Sequence, residues 1–475
     1  MRIHVAVICV LITCLLNIVS ASAELYQRSP DVMPGTIPEM QDPAWWIARM
    51  DNPDGVILKP AEIRVRNEAY LEKMSRANFY AGVHPGRVPM DWQLNRWPGR
   101  FVTRPDIGSL TDTELAAFVR TQVTVLADYI KAEPYGNYLG TEYAPEELDA
   151  FIIEAAIENI SVPITIWNGI TVRSTQLRVI PALFPGVVGI KNIDTTNYTI
   201  DLWTAAMVGI GRQVTVLHRS RSGSHLFVMA ENNFGWIRAE DVAFGSSDEI
   251  DAFTESPDFL LCTGNRVPYF TDETCKIVSG WFSMADRIHP APGGNSRKIL
   301  VPVRNVNGTF DTASAWLSPD ADIHKGNMPY TRRNIVTLAF KLLGDPYDWT
   351  GAVLGRNHET TYRDIFACFG FALPHNGGLF THFGDKDIAA MPEMGKEAEY
   401  KLILDNEPFV SIAVSRGHAM LFLGEYNGEP IIFDQNGYSY TMDDGSVMHV
   451  KRCSIITPVV VPYLLKYPIT FLELK

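Results

Sequence analysis

The spacing of apolar and polar positions divides the chain into regions of different periodicity. Between about residues 24 and 160 the apolar positions recur at helical spacing. Thr111 and Glu114 have the spacing of a capping box, and Pro60 and Pro145 stand where first helical turns tolerate proline. The pattern predicts a helical region over residues 24–160.

From about residue 161 the apolar period changes to two, which is typical of strands. The strand-like runs are 162–166, 171–174, 213–218, 226–230, 234–238, 259–262, 266–270, 298–303 and 315–317. Glycine and serine turns separate several of these short runs. We predict two small SH3-like β-barrels, over residues 161–248 and 249–325.

The last region, residues 326–475, combines helical and strand-like patterns. An amphipathic run at 332–343 ends at Gly344, and a second helix is predicted over 357–370. Two apolar runs flank Asn427-Gly428, a dipeptide that favours tight hairpins. The predicted fold class is therefore multidomain α+β.

The N-terminus has the pattern of a secretory signal peptide. Arg2 precedes a short apolar run, and Ala21-Ser22-Ala23 supplies a small-residue cleavage site. We predict a signal over residues 1–23, with a retained N-terminal anchor as the alternative. No later stretch is apolar enough for a transmembrane helix, so the mature chain is expected to lack an integral membrane segment. The expected location is the periplasm or cell envelope.

Composition narrows the partner classes. The 475 residues carry a formal charge of −13, which argues against nucleic acid as a partner because phosphate binding needs a basic face. Six cysteines are too few for a disulfide scaffold, and four follow the signal. Cys262 and Cys275 flank a predicted hairpin and could pair, but spacing alone leaves this open.

The candidate chemistry lies in the last region, in a fixed order along the chain. A Gly-Asp-Pro-Tyr-Asp-Trp loop begins at Gly344, a helix follows, His418 begins a strand, and Asp434 lies on the next strand. This order, with Arg363-Asp364-Ile365-Phe366 in the helix and two preceding barrels, resembles the exported branch of the NlpC/P60 cysteine endopeptidases. The resemblance implies a papain-like domain, γ-D-glutamyl-diamino-acid endopeptidase chemistry on peptidoglycan stem peptides or muropeptides, and no cofactor.

The resemblance also implies roles for individual residues. In such a site a histidine moves a proton and a polar group orients its imidazole, and His418 and Asp434 match these two positions. Tyr347 and Trp349 match residues that line the substrate groove, although loop packing is the alternative for both.

The expected nucleophile is absent from its position. The Asp-Cys-Ser triplet of the family aligns with Asn357-His358-Glu359, so His358 stands where the thiol belongs. We assign the flanking Asn357 and Glu359 to substrate binding. A thiol nucleophile at Cys368 would need a different helix register, because it lies about 15 Å further along the helix.

Three functional hypotheses follow. The first is a protein that binds stem peptides with impaired or lost catalysis. The second is an active hydrolase that uses Cys368 or a site containing His358. The third is a non-catalytic envelope scaffold. The helix has Tyr362 where a zinc-protease motif needs its second histidine, so that motif is absent. A metal site formed by His358, His418 and Asp434 is chemically conceivable but is not our prediction, because three convergent side chains need not have metal-ligand geometry.

Overall fold

A computed structural model defines the architecture of this protein. It describes residues 32–76, 110–131, 134–187, 201–230, 233–293, 297–349, 355–373, 380, 386–388, 396–415, 418–441, 447–450, 452–457 and 469–475. The predicted signal segment lies outside the described residues. Within the described part, no helix is both long and apolar enough to cross a membrane.

The N-terminal region contains helices and one short strand. These are α1 (Pro43–Ile47), β1 (Val56–Leu58), α2 (Pro60–Arg76), α3 (Asp112–Tyr129) and α4 (Pro145–Glu154). The predicted capping box is present at the start of α3, where the Thr111 and Glu114 side chains each accept a hydrogen bond from the other's backbone N–H. Phe118 of α3 packs edge-on against Phe234 of the first barrel, with ring centroids 5.3 Å apart. This region therefore supports the barrel that follows it.

The first barrel is an antiparallel sheet. Its strands are β2 (Trp167–Thr171), β3 (Thr175–Arg178), β4 (Thr204–Val208), β5 (Gln213–Arg219), β6 (His225–Ala230), β7 (Asn233–Arg238) and β8 (Val242–Phe244), and their order in the sheet is β4-β3-β7-β6-β5-β2-β8. Apolar side chains from these strands form one buried core, which includes Leu177, Val216, Leu226 and Ile237.

Two strand predictions in the first barrel are wrong in position. Residues 162–166 form no strand, and pairing begins only at Trp167. Pro163 has no N–H to donate to a strand ladder, which is a physical reason for the delayed start. The run at 171–174 contains the end of β2 and a turn, in which Arg173 leaves the sheet and pairs with Asp241.

The second barrel follows helix α5 (Ser247–Thr254) and is also antiparallel. Its strands are β9 (Leu260–Cys262), β10 (Arg266–Phe270), β11 (Val278–Ser283), β12 (Arg287–Pro290), β13 (Lys298–Arg304), β14 (Phe310–Leu317) and β15 (Ile323–Lys325), in the sheet order β11-β10-β14-β13-β12-β9-β15. Cys262 is buried in this barrel, Cys275 is half-buried, and both are free thiols in this structure.

The C-terminal domain places helices against a central antiparallel sheet. Its elements are β16 (Tyr330–Thr331), α6 (Arg332–Phe340), α7 (His358–Ala367), β17 (Lys386–Ile388), α8 (Lys396–Leu404), β18 (Ser411–Ser415), β19 (His418–Tyr426), β20 (Glu429–Gln435), β21 (Tyr438–Thr441), β22 (Val447–Val450), β23 (Cys453–Ile456) and β24 (Ile469–Glu473). The sheet order is β17-β24-β18-β19-β20-β23, while β1 pairs with β16 and β21 with β22.

Two local features place the candidate residues. The β19–β20 hairpin turns at Asn427 and Gly428, both with positive φ, as a two-residue hairpin of this kind requires. Helix α7 packs across β19 and β20, which carry His418 and Asp434. The start of α7 thus faces the two strands that supply the rest of the site. The whole chain is a multidomain α+β protein.

Candidate active site

The N-terminus of α7 is fixed by its cap. The Asn357 side-chain oxygen accepts a hydrogen bond from the Thr360 N–H at 2.9 Å, and its side-chain nitrogen donates to the Trp349 carbonyl at 2.6 Å. Asparagine is among the residues best suited to this position, because its side chain satisfies a helix donor. His358 is therefore the first residue of the helix, at the positive end of the helix dipole.

His358 lies beside the second histidine of the site. The His358 and His418 ring centroids are 4.5 Å apart, with their planes tilted by 47°. His418 Nε2 lies 2.7 Å from Asp434 Oδ1, and Asp434 is fully buried. Because a carboxylate accepts, this bond places an imidazole proton on Nε2 and leaves Nδ1 as the basic nitrogen. This arrangement can orient His418 as a base that faces the start of α7.

Glu359 also lies close to His358. Its carboxylate oxygen Oε2 is 3.4 Å from His358 Nε2, and both side chains are buried. The structure therefore brings together four of the predicted residues, His358, Glu359, His418 and Asp434. In this cluster Asp434 contacts His418, His418 lies against His358, and Glu359 contacts His358.

Arg356, which the sequence interpretation missed, anchors the segment before α7. Its guanidinium contacts Asp364 Oδ2 and Asp345 Oδ2, each at 2.9 Å, and hydrogen-bonds Asn265 of the second barrel. Burial opposes the charge of Arg356, but Asp364 and Asp345 more than offset it and raise its pKa. Arg356 thus connects the segment before α7 to Asp364 within that helix and to Asn265 of the second barrel. The sequence signal was only the placement of Arg356 directly before the cap residue.

Tyr347 and Trp349 differ in their exposure. Tyr347 is 7% exposed and packs so closely on Gly437 that a Cβ there would lie 2.6 Å from the ring. Trp349 is half-buried, and its carbonyl receives the Asn357 hydrogen bond. Both residues therefore help to shape the loop before α7, and Trp349 is the more accessible of the two.

Cys368 lies at the opposite end of α7 from His358. It is the C-cap residue, is fully buried, and burial followed by the nearby charge of Asp364 raises its pKa to about 12. Ten residues of helix separate it from His358, a rise of about 15 Å. A buried thiol at the negative end of a helix holds little thiolate, so its surroundings disfavour a nucleophilic role.

Within the described ranges, no group of three or more His, Cys, Asp or Glu side chains is arranged to hold a metal ion. His358, His418 and Asp434 form a contiguous chain, in which Asp434 contacts His418 and His418 lies against His358.

Comparison with known proteins shows which fold this chain shares. Residues 191–238 match the SH3 domain family of SH3b1 type. The structure is similar to that of an NlpC/P60 endopeptidase from Photobacterium damselae subsp. piscicida, with a TM-score of 0.70 over 94% of this chain and 99% of that chain, at 16% sequence identity. The chain has an NlpC/P60 fold with SH3-like barrels. An NlpC/P60 family protein from Bacillus cereus ATCC 10987 covers 65% of this chain and is covered completely, at 15% identity and a TM-score of 0.43. No curated protein matches by sequence.

The NlpC/P60 fold gives the site a consistent topology. The order of the site residues along the chain is the one expected from the sequence. It runs from the cap residue Asn357 through His358 at the start of α7 and His418 at the start of β19 to Asp434 on β20. His358, the buried histidine beside His418, is held at the start of α7 by the Asn357 cap.

Proposed function

We propose that this protein is an exported cell-envelope protein that binds peptidoglycan stem peptides or muropeptides, and that its catalysis is impaired or lost. In this proposal His358 occupies the position of the nucleophilic cysteine. In this proposal residues 24–160 stabilise the protein, and the barrels at 161–248 and 249–325 shape the binding groove. Residues 326–475 form the peptidase-like domain.

The observation that carries the proposal is the contact between His358 and His418. His418 retains its carboxylate partner at 2.7 Å, but the residue at the helix start, 4.5 Å away between ring centroids, is an imidazole. A helix N-terminus stabilises an anion such as a thiolate, and His358 supplies none. These contacts support a site in which a base and its orienting carboxylate remain and the group that they would activate is replaced.

The test is to incubate the purified mature chain with defined muropeptides and to measure both binding and cleavage. Binding is followed by calorimetry, and cleavage by mass spectrometry of the released peptides. The proposal expects binding without release of L-Ala-γ-D-Glu. Release by the wild-type chain that disappears in His418→Ala would show an active hydrolase and overturn the loss of catalysis. Absence of binding to every muropeptide would favour a scaffold.

A further inference from the structure

A large cleft lies where the two barrels meet α7. Its volume is about 830 Å³, and its walls come from the 172–174 turn, from strands β10, β11 and β13, and from one side of α7. The residues that line it include Thr360 and Arg363 of α7 but not His358, His418 or Asp434. The cleft is therefore adjacent to the candidate active site and is formed by different side chains.

The residues that line the cleft have a net positive charge, whereas the whole chain is negatively charged. Six arginines line it, at positions 173, 212, 266, 304, 356 and 363, against the three acidic residues Glu240, Asp286 and Asp364. Six minus three gives a lining charge of +3, whereas the whole chain carries −13. Cations gathered in a concave site with low-dielectric walls concentrate anions there.

Most of these arginines already have carboxylate partners. In the lining, Arg173, Arg212, Arg356 and Arg363 form ion pairs. Among the described residues, the other two arginines, Arg266 and Arg304, form no ion pair, and the Arg304 Nε donates to the Val242 carbonyl.

Arg266 is the better placed of these two. It is half-buried at the start of β10, and burial followed by the like charge of nearby Arg356 lowers its pKa, although the charges of Asp345, Asp348 and Asp364 act in the opposite direction. An anion bound in the cleft would offset the like charge of Arg356 and favour the charged form of Arg266. Guanidinium groups bind carboxylates through two parallel hydrogen bonds, so Arg266 and Arg304 provide two such positions.

One wall also offers an apolar surface. Trp281 of β11 lines the cleft with 51% of its surface exposed, on the edge strand of the second sheet. An exposed indole next to cations suits a ligand with an apolar or sugar face between its charged groups.

We propose that this cleft binds a peptide that carries at least two carboxylates, through Arg266 and Arg304, with an uncharged part of the ligand against Trp281. The choice of a carboxylate-rich peptide over another anion rests on the proposed function, because stem peptides carry free carboxylates. The site would hold part of the peptide beyond the residues at the start of α7.

Calorimetry on the mature chain tests this proposal with three probes. These are the tripeptide L-Ala-γ-D-Glu-diaminopimelate, the same peptide with its carboxylates converted to carboxamides, and triglutamate. The tripeptide should bind at least about tenfold more tightly than the carboxamide form, because charge-assisted hydrogen bonds are lost in the latter. Arg266→Met should weaken binding of the tripeptide by a similar factor. Lys325→Gln, which removes a charge from the same barrel outside the lining, should leave it unchanged.

Trp281→Ala provides a second variant that does not depend on a buried charge, and it should weaken binding several-fold. Binding of the tripeptide that neither Arg266→Met nor Trp281→Ala changes would overturn the cleft while leaving the proposed function in place. Binding of triglutamate through Arg266 without binding of the tripeptide would support a carboxylate site and contradict the proposed function. Inorganic phosphate that displaces the tripeptide at equal concentration would show a general anion site and overturn the proposal.

Discussion

Replacing Arg356 by methionine should destabilise the domain that contains α7. The side chain is 4% exposed, and it neutralises Asp345 and Asp364, which are 12% and 7% exposed. Removing one partner of a buried ion pair costs about 3–5 kcal/mol, because the remaining charge stays buried. Asp364 keeps its contact with Arg363, so we take the lower end, about 3 kcal/mol.

The assay is differential scanning calorimetry of the mature chain. For a domain of this size about 3 kcal/mol corresponds to a fall in Tm of about 6–12 °C, confined to one transition. The matched control is Arg333→Met, which removes a two-point Arg–Asp pair with exposed Asp54. Exposed pairs contribute little, so the control should show no resolvable shift. Equal shifts in the two variants would refute the claim that burial makes the Arg356 contacts important.

Three further predictions concern buried groups. The first uses a thiol-labelling time course on the native mature chain, in which half-buried Cys275 should react. Cys368 should react only on unfolding, because burial raises its pKa to about 12. Fast labelling of Cys368 in the native chain would contradict this prediction. Burial and the nearby Arg287 charge lower the pKa of His289 to about 4. As pH falls, the unfolded chain therefore takes up a proton at this histidine before the folded chain does, and the free energy of unfolding should fall between pH of about 6.5 and about 4. A His289→Gln chain should lose part of this slope of Tm against pH, and an unchanged slope would contradict the prediction. Tyr362→Phe leaves the buried carbonyl of residue 433 without its 2.6 Å hydrogen bond and should cost about 1–3 kcal/mol by chemical denaturation, where no loss would show that the bond is unimportant.

Local sequence signals gave several elements with accurate positions. The start of the helix predicted from residue 357, the capping box at Thr111 and the hairpin at Asn427-Gly428 each depend on residues within a few positions of one another. Such features are set by backbone donors and by permitted φ values, which the local sequence determines. Helix α6 ends at Phe340 rather than at the predicted 343, an error of the size expected at helix ends.

Other features depend on contacts that no short window contains. Arg356 contacts Asp364 and Asp345, 8 and 11 positions away, and also Asn265, 91 positions away, and nothing near Arg356 in the sequence indicates this last partner. The cleft likewise requires two barrels and a helix to meet. The sequence pattern predicted these units but carried no information about the surface formed between them.

The central claim is that His358 stands in the place of the catalytic thiol, and restoring that thiol tests it most directly. The variant is His358→Cys combined with Asn357→Asp and Glu359→Ser, compared with the same flanking changes combined with His358→Ala. Release of L-Ala-γ-D-Glu from muropeptides is measured by mass spectrometry, with folding checked by calorimetry. We predict release only by the cysteine variant, and its loss when His418→Ala is added. No release by a folded cysteine variant, together with release by the wild-type chain, would contradict the assignment.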